Sequence, residues 1–252
     1  MGNTLQGRRA LITGGGQGIG FGIAQALCAE GACVALMGRT ESKVRAAAAQ
    51  LSSSGATALA LGGDVTKPAD IERCVAATVE AFGGLDILVN NAQQSAPGSL
   101  LEISEDALTA CWESGTLATF RLMRACFSHL RGHGVVINLG SPTSVNPQPV
   151  GRGVYSAVKA ATQTLSRVAG VEWGSEGIRV IAVLPASMTP AAKDFAESNP
   201  QEYERSLSSI PLHRLGDPLE DIGRAVAFLC SDAASYLTAT TIALDGGQAY
   251  LR

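Results

Sequence analysis

The chain has 252 residues, of which 46% are hydrophobic and 16% charged, so it can bury a large core and does not have the composition of a disordered protein. Its net charge is −3, from 19 basic and 22 acidic side chains, and it has no basic block; nucleic acid and anionic membranes are therefore not expected as partners. No window is apolar enough for a membrane span, and residues 1–7 show no apolar signal-peptide core.

Apolar runs alternate with helical patterns along the whole chain. Strands are predicted at 8–13, 32–37, 57–61, 86–89, 135–139, 178–184 and 241–244. Helices are predicted at 19–30, 41–53, 68–82, once or twice within 104–131, at 155–173 and at 218–231. Because continuously apolar strands separated by helices form parallel sheets, we expect one α/β domain over 1–252, a Rossmann-type doubly wound parallel sheet with helices on both faces. Such sheets bind ligands at the carboxyl ends of their strands.

A glycine-rich turn with the sequence GGGQGIG, residues 14–20, follows the first strand. Glycine allows positive φ angles and lets a diphosphate approach the backbone N–H groups at a helix N-terminus. The turn therefore predicts cofactor contacts at Gly14, Gly16, Gln17, Gly18 and Ile19. The spacing alone is also compatible with an ordinary turn between a strand and a helix.

Tyr155 and Lys159 stand four residues apart in the helix predicted at 155–173, so they share one helix face. A phenol titrates near 10, and a neighbouring ammonium lowers that pKa, which makes the pair a candidate general acid/base unit. Ser141 lies just beyond a strand end, fourteen positions earlier, and a loop can return it to the same cleft. A serine after a strand is also a common turn residue. The helix carries an apolar stripe formed by Ala157, Ala161, Leu165, Val168 and Ala169.

The segment 187–216 is polar and interrupted by prolines, which predicts a mobile lid over the strand ends. Its apolar side chains, among them Met188 and Phe195, either line a site for a modest apolar ketone or pack the lid onto the body.

Six cysteines without a CxxC pair indicate a reduced, cytoplasmic protein, and four of them fall in stretches that are expected to be buried. The three histidines have no acidic or cysteine partner at ligand spacing, so no metal site is expected.

Taken together, the motifs resemble the short-chain dehydrogenase/reductase family, in particular its carbonyl reductases that are similar to 3-oxoacyl-carrier-protein reductase. The residues that carry the resemblance are Thr13, Gly14, Gly18, Ile19, Gly20, Asp64, Val65, Asn90, Asn91, Ala92, Ser141, Tyr155, Lys159, 177–180, Pro185, Thr189 and 245–247. The resemblance covers nearly the whole chain and implies reversible hydride transfer between a nicotinamide and a ketone or secondary alcohol.

The resemblance also implies individual roles. Tyr155 would donate or accept the proton, Ser141 would polarise the substrate oxygen, and Lys159 would bind the nicotinamide ribose and lower the pKa of the tyrosine. Further cofactor contacts are implied at Asp64, Val65, Asn91, Ala92, Tyr155, Lys159, Pro185 and Thr189. Asn90 would support the cofactor cleft.

The end of the second strand decides the expected cofactor. NAD-preferring relatives place an acidic residue there, but this chain has Gly38 followed by Arg39, whose guanidinium can bind a 2′-phosphate. NADP(H) is therefore expected over NAD(H), although Gln17 does not provide the second basic residue that some NADP enzymes carry.

The chain departs from the family pattern in the active cleft, where Gln93 replaces a glycine and Gly115 replaces an asparagine thought to anchor a water beside the lysine. We expect a water-filled pocket at Gly115, with Gln93 or Ser114 as the alternative source of a polar group. Gln93, Ser114, Gly115 and Met188 are the candidates for the substrate pocket. The missing asparagine leaves a second function open, a catalytically impaired nucleotide-binding regulator, and an epimerase or dehalogenase is a third.

The resemblance further implies a homotetramer. The family pairs its two long helices, here about 104–131 and 154–174, across one two-fold axis, and its C-terminal segment across another. The small residues Ala157, Ala161 and Thr164 permit close helix approach, although they can equally pack inside one subunit. The C-terminal residues 249–252 have the mildly apolar character of a buried tail.

Overall fold

A parallel sheet of seven strands forms the centre of the computed structural model, which describes residues 3–146 and 151–249. The strands are β1 Arg9–Thr13, β2 Cys33–Gly38, β3 Ala58–Gly62, β4 Ile87–Asn90, β5 Val135–Leu139, β6 Arg179–Pro185 and β7 Thr240–Leu244. They are arranged in the order β3-β2-β1-β4-β5-β6-β7, so the direction of winding reverses between β1 and β4. The crevice outside the carboxyl ends of these two strands is where ligands of doubly wound sheets bind.

Helices cover both faces of the sheet. They are α1 Gly18–Ala29, α2 Glu41–Ser53, α3 Pro68–Phe82, α4 Glu105–Trp112, α5 Ala118–Leu130, α6 Gly153–Glu172, α7 Pro190–Ser198, α8 Pro200–Ser208 and α9 Arg224–Cys230. The predicted doubly wound α/β fold is confirmed, and the limits of β5, α2 and α3 agree with the prediction at both ends.

Two apolar clusters form the core, one on each face of the sheet. Ile12 packs in one cluster with α1, α2 and α9, whereas the adjacent Leu11 packs in the other with α3 and α5. Successive side chains of a strand point to opposite faces, so a strand buried on both sides must be apolar at every position. This explains the continuous apolar runs of the sequence.

The helical segment predicted within 104–131 is interrupted by one wide turn. Residues 113–117 form a π-helix between α4 and α5, and a second π-helix spans Pro218–Gly223 before α9. The hydrophobic pattern predicts the helices but not these turns, because five residues are too few to distinguish the π period from the α period. Such π turns are frequent at functional sites.

Most of the apolar stripe on α6 faces away from the core, and of its five residues only Ala169 is buried. Ala157 is exposed, and Val168 is 47% exposed. The inner face is largely polar and consists of Val154, Val158, Lys159, Thr162, Gln163, Ser166, Ala169 and Gly170. Its polar groups have partners, for example Ser166 Oγ, which accepts a 2.8 Å hydrogen bond from Asn138 Nδ2. A polar face can be buried when its groups are hydrogen-bonded, and here that leaves the small apolar residues outside.

The lid segment 187–216 contains the two helices α7 and α8, for which the sequence pattern gave no prediction. The side chain of Thr189 accepts a hydrogen bond from Ala192 N at the start of α7, and proline occupies the first turn of both α7 and α8. A threonine cap and a first-turn proline are helix-start signals that the polar composition obscured. Neither helix contains a buried residue, so the lid lies on the surface.

Asp86 forms an ion-paired cluster at the amino ends of the strands. Its side chain is 2% exposed and accepts hydrogen bonds from Arg9 N, Nε and Nη2 and from His133 Nε2. The cluster joins β1 to the start of β4 and to the turn before β5, at the end of the sheet opposite the ligand crevice.

All six cysteines are free, and four of them are buried as predicted. Burial raises the pKa of Cys126 and of Cys230 to about 12, so these thiols remain protonated. Among the described residues, no helix combines the length and apolar character required to cross a membrane.

Candidate active site

The glycine turn after β1 is held against the end of β4. Gly14 has a φ of +65°, and a Cβ there would lie 2.7 Å from Asn91 Nδ2. The Asn91 amide donates a 2.9 Å hydrogen bond to Thr13 O, and Asn91 N and Ala92 N each lie 3.0 Å from Thr13 Oγ1. The Asn91 side chain, predicted as a cofactor contact, is therefore engaged in shaping the turn.

The N-terminus of α1 is open. Gln17 precedes the helix in an extended conformation and makes no side-chain cap, and the first turn contains no acidic residue. Gly18 has a φ of +56°, which glycine adopts without strain. Because free N–H groups at a helix N-terminus bind anions, the turn of Gly14, Gly16, Gln17, Gly18 and Ile19 fits a dinucleotide diphosphate.

A lysine that the sequence analysis did not identify lies beside this turn. Lys43 Nζ donates a 2.7 Å hydrogen bond to Gln17 Oε1. Lys43 is in the first turn of α2, four positions after the exposed Arg39, so two cations border the end of β2. Next to the glycine turn, a second basic side chain is thus present on α2, and the only sequence signal for it was its four-residue spacing from Arg39.

The carboxyl end of β3 presents Asp64 and Val65. Asp64 Oδ1 accepts 2.9 Å hydrogen bonds from both the N and the Oγ1 of Thr66, and Val65 is buried. Asp64 N in turn donates to Asp70 Oδ2 at 2.9 Å. The loop after β3 is therefore rigidly held, as a surface that receives an adenine ring requires.

Ser141, Tyr155 and Lys159 come together at the carboxyl end of β5. Lys159 Nζ lies 5.6 Å from the centre of the Tyr155 ring and donates a 2.6 Å hydrogen bond to Leu139 O. Ser141 Oγ lies 3.0 Å from Thr143 Oγ1, and hydrogen bonding to Ser141 lowers the pKa of Tyr155. The structure thus brings together the three side chains that the sequence analysis singled out.

The pKa of Tyr155 is shifted in the direction opposite to the expectation. Burial raises the pKa of the Tyr155 phenol above its ordinary value, and it outweighs the opposite effects of Arg152 and of hydrogen bonding to Ser141. Burial also lowers the pKa of Lys159, to about 8. The lysine was expected to lower the pKa of the tyrosine, but the cost of burying a phenolate dominates here. Arg152, which the sequence analysis missed, is the cation that acts on the phenol.

The space at Gly115 is not the water-filled pocket that was expected. A Cβ at Gly115 would lie 2.6 Å from Gln93 Oε1 and 2.7 Å from Gln93 Nε2, and a methyl group of Val158 also occupies this space. Ser114, the other candidate, accepts a 3.1 Å hydrogen bond from Gln94 N and donates one of 2.7 Å to Ala110 O. Of the two alternatives, Gln93 is therefore the neighbour that reaches the gap.

The lid begins next to the glycine turn. Pro190 Cδ lies 3.4 Å from the position that a Cβ on Gly18 would occupy. Thr189, a predicted cofactor contact, uses its hydroxyl to cap α7, 3.2 Å from Ala192 N. Met188 N donates a 2.8 Å hydrogen bond to Gly216 O, which fixes the start of the lid to its end. Pro185 is the last residue of β6, on the same edge of the sheet.

A phosphate-binding turn and a phenol–ammonium pair on the same edge of a doubly wound sheet are the features of a Rossmann-fold oxidoreductase. Residues 14–249 match the family model described as enoyl-(acyl carrier protein) reductase. The chain belongs to the short-chain dehydrogenase/reductase family.

Relatives extend over the full chain. A 12alpha-hydroxysteroid dehydrogenase from Clostridium sp. is 40% identical over 254 residues, which is 97% of each chain. A short-chain dehydrogenase from Burkholderia cenocepacia in complex with NADP superimposes with a TM-score of 0.90 at 32% identity, covering 97% of this chain and 99% of the other. A 3-ketoacyl-(acyl-carrier-protein) reductase from Brucella melitensis complexed with NADH superimposes with a TM-score of 0.89 at 28% identity, covering 98% of this chain and 100% of the other. The structures support a nicotinamide cofactor without choosing between NAD and NADP.

Proposed function

We propose that this oxidoreductase uses NADP(H) and interconverts a ketone and a secondary alcohol. The observation that carries the proposal is the convergence of Ser141, Tyr155 and Lys159 at the end of β5, two strands from the glycine turn of β1. The nicotinamide, when bound, supplies or accepts the hydride, and the protein has to position the substrate and handle one proton.

Tyr155 is the proton donor to the substrate oxygen during reduction. Its raised pKa keeps the phenol protonated at neutral pH, the form that this direction requires. Ser141 donates a hydrogen bond to the same oxygen and holds it next to the phenol. Lys159, charged below a pH of about 8, stabilises the negative charge that develops on the tyrosine as its proton leaves. In the oxidation direction the same groups act in reverse.

Two cations at the end of β2 support NADP(H) over NAD(H). Arg39 and Lys43 flank the region that receives the adenine ribose, and Gly38 leaves no carboxylate to repel a 2′-phosphate. A Cβ on Gly38 would lie 2.9 Å from Val44 Cγ1, so a larger residue at the strand end requires the Val44 side chain to shift. The remaining cofactor contacts in this proposal are Gly14, Gly16, Gln17, Gly18, Ile19, Asp64, Val65, Ala92 and Pro185.

The surface around the site favours a substrate with an apolar carbon skeleton. Leu100 and Leu101 are 74% and 98% exposed, and Leu100 packs beside Gly153 at the start of α6, two residues from Tyr155. Large apolar side chains in this position provide a docking surface next to the phenol. The similarity to a dehydrogenase named for a hydroxysteroid supports the same class of substrate. In this proposal, residues 187–216 are the lid that covers it.

The site does not support the alternative function, a catalytically impaired nucleotide-binding regulator. A nucleotide-binding protein without turnover does not require a serine, a tyrosine and a lysine at one strand end, and the gap at Gly115 is filled by an amide. Enzymatic turnover is therefore the better proposal.

We also propose a cytoplasmic homotetramer that binds neither nucleic acid nor membrane. The outward face of α6 carries small and apolar residues, with Val168 47% and Val171 76% exposed. Trp112 and Phe120 are 41% and 40% exposed on the neighbouring α4 and α5. Exposed apolar side chains are thus present on both of the helical segments that the family pairs across a two-fold axis. The predicted C-terminal contact involves residues 250–252, which lie outside the described residues.

A screen of NADPH oxidation over a panel of ketones tests the activity. The panel should include small aliphatic ketones, bulky cyclic ketones and steroid ketones, each measured with NADPH and with NADH. We expect the highest kcat/KM with NADPH and a bulky apolar ketone. A protein that binds NADPH but reduces no member of the panel, and oxidises none of the corresponding alcohols, would contradict the proposal and favour the regulator.

A further inference from the structure

The side-chain amide of Gln93 has a fixed orientation and one unsatisfied atom. Its Nε2 donates to Cys111 O at 3.0 Å and to Gln94 O at 3.3 Å. Two carbonyl acceptors on one side require the NH₂ group there, so the oxygen must lie on the other side. Oε1 is buried, and no described residue donates a hydrogen bond to it. A buried acceptor of this kind calls for a donor, and the residues that the structure describes do not provide one.

This amide occupies the side-chain space of another residue. Gly115 sits within the π-helix Glu113–Leu117, and a Cβ there would lie 2.6–2.7 Å from both terminal atoms of Gln93. Any side chain at 115 would displace the amide. We therefore treat the π-helix, Gly115 and Gln93, which enters from the loop after β4, as one unit.

The unit borders the environment of Lys159. Gln93 Nε2 lies 3.3 Å from Cys111 Sγ, and Cys111 packs with Val158 and Tyr155. Val158, the residue before Lys159 in α6, shares with the Gln93 amide the space beside Gly115. Lys159 Nζ has three N–H groups, of which one donates to Leu139 O. The titratable groups that face Lys159 are Tyr155, from its own helix, and Cys111, from α4; no carboxylate of the described residues pairs with it.

We propose that Gln93 is a positioning residue for Lys159, and that its carbonyl oxygen holds a water molecule which also accepts a hydrogen bond from the buried ammonium. The inference rests on the proposed function and extends it to a residue outside the Ser141, Tyr155 and Lys159 group. In this arrangement the water satisfies both the orphaned oxygen and a free N–H of Lys159. The amide thereby stabilises the charged form of the lysine.

Gln93→Leu tests the role, because leucine keeps most of the volume and removes the amide. We expect kcat to fall roughly 10- to 100-fold, as a loss of active-site positioning does, with little change in the KM of the ketone. The basic limb of the pH profile of kcat/KM should move to lower pH, because the ammonium loses a stabilising dipole. Gln93→Asn keeps the amide one methylene shorter and should recover part of the activity.

A double variant separates positioning from simple packing. Gly115→Asn alone should reduce kcat, because its side chain collides with the Gln93 amide. Because a methyl group of Val158 also meets a side chain at 115, the rescue is made in a Val158→Ala background. There, Gln93→Ala with Gly115→Asn places the new amide in the vacated space, and kcat should recover to well above that of either of these two substitutions alone. If the losses of kcat caused by Gln93→Ala and by Gly115→Asn simply add in the combined variant, the proposal is overturned. A Gln93→Leu variant with parental kcat and an unchanged pH profile would overturn it as well.

A readout without turnover keeps this proposal distinct from the proposed function. The Kd of NADPH, measured by fluorescence from pH 6 to pH 10, should weaken as Lys159 loses its proton, with a midpoint at lower pH in Gln93→Leu than in the parent. Lys159→Met should remove this pH dependence and serves as the control. Identical midpoints in the parent and in Gln93→Leu would overturn the role of Gln93, whereas NADPH binding without reduction of any ketone would count only against the enzyme.

Discussion

Lys159 Nζ donates a 2.6 Å hydrogen bond to the carbonyl oxygen of Leu139, the last residue of β5. The bond ties α6 to the carboxyl end of a central strand and draws the ammonium out of solvent. Lys159 is 4% exposed as a result, which is why its pKa falls to about 8. The same placement leaves the ammonium 5.6 Å from the centre of the Tyr155 ring. The hydrogen bond to Leu139 O therefore fixes the position of Lys159 beside Tyr155 and keeps the lysine buried, which lowers its pKa.

The lowered pKa of Lys159 predicts a pH dependence. A lysine with a folded-state pKa near 8 is charged below that pH and loses its charge as the pH rises through it. We therefore expect kcat/KM for ketone reduction, determined from pH 6 to pH 10, to decline above a pH of about 8. The phenol of Tyr155 remains protonated over this limb because its own pKa is raised. A rate that is constant to pH 10 would show that the charge of Lys159 is not required.

Tyr155→Phe should abolish turnover and retain cofactor binding. The substitution keeps the ring beside Lys159 and removes only the oxygen that carries the proton. General acid/base catalysis contributes typically about 10²- to 10⁴-fold, so we expect kcat to fall by at least about 100-fold. Fluorescence titration should give a parental Kd for NADPH. Activity near the parental value would show that another group donates the proton.

Arg39 and Lys43 should together determine the preference for NADPH. Replacing either by alanine removes a charge-assisted hydrogen bond to the 2′-phosphate, and we expect kcat/KM with NADPH to fall roughly 10-fold or more. The value with NADH should hardly change, because NADH lacks that phosphate. Gly38→Asp combined with Arg39→Ala should move the preference toward NADH.

Arg45→Ala is the matched control for the Arg39 and Lys43 variants, since its guanidinium is on the same helix as Lys43 but pairs with Glu41 at 2.5 Å. A parent that already prefers NADH would contradict the assignment of both cations.

Asp86→Asn should destabilise the protein, because it leaves Arg9 without its carboxylate at a site where Asp86 is 2% exposed. Removing one partner of a fully buried ion pair costs about 3–5 kcal/mol, and because the Arg9 side chain is 26% exposed we expect a smaller loss of about 2–3 kcal/mol. Urea unfolding at pH 7 measures this difference. Asp232→Asn, at a carboxylate that is 90% exposed, is the control and should change stability very little.

The same carboxylate predicts a loss of stability in acid. Burial by itself raises the pKa of Asp86, but the hydrogen bonds from Arg9 and His133 outweigh it, and the folded-state pKa lies below the ordinary value. The resulting stability is present above the unfolded-state pKa of about 3.9 and disappears as the pH falls through the folded value. The gap between the parent and Asp86→Asn should therefore narrow below a pH of about 4, and a constant gap would contradict this linkage.

The exposed face of α6 should mediate assembly. A carboxylate buried without a partner is strongly unfavourable in an apolar interface, so Val168→Asp with Val171→Asp should dissociate the tetramer. Light scattering should give four times the 25.8 kDa subunit mass for the parent and a smaller multiple for the variant. Leu101→Asp, at a position 98% exposed on a loop, should leave the mass unchanged. A monomer mass for the parent at micromolar concentration would remove the proposed tetramer.

The sequence alone was sufficient for the sheet, the glycine turn and the Tyr155 and Lys159 pair. These features follow from local physics. A strand that is buried on both faces must be apolar throughout, a positive φ at Gly14 favours glycine, and two residues four apart share a helix face. Each of these signals lies within a few neighbouring residues, so a linear reading of the chain can recover it.

The features that depend on packing between distant parts of the chain became visible only in the tertiary structure. The polar face of α6 is inside because Asn138 offers a partner to Ser166, although the helix by itself favours burying its apolar stripe. Lys43 belongs to the cofactor region because α2 packs beside the glycine turn, and Gln93 fills the space at Gly115 because the loop after β4 passes next to the π-helix. The raised pKa of Tyr155 likewise depends on the depth of its burial. These contacts join residues 22 to 28 positions apart along the chain or depend on packing around the whole site, and neither hydrophobic periodicity nor motif spacing carries that information.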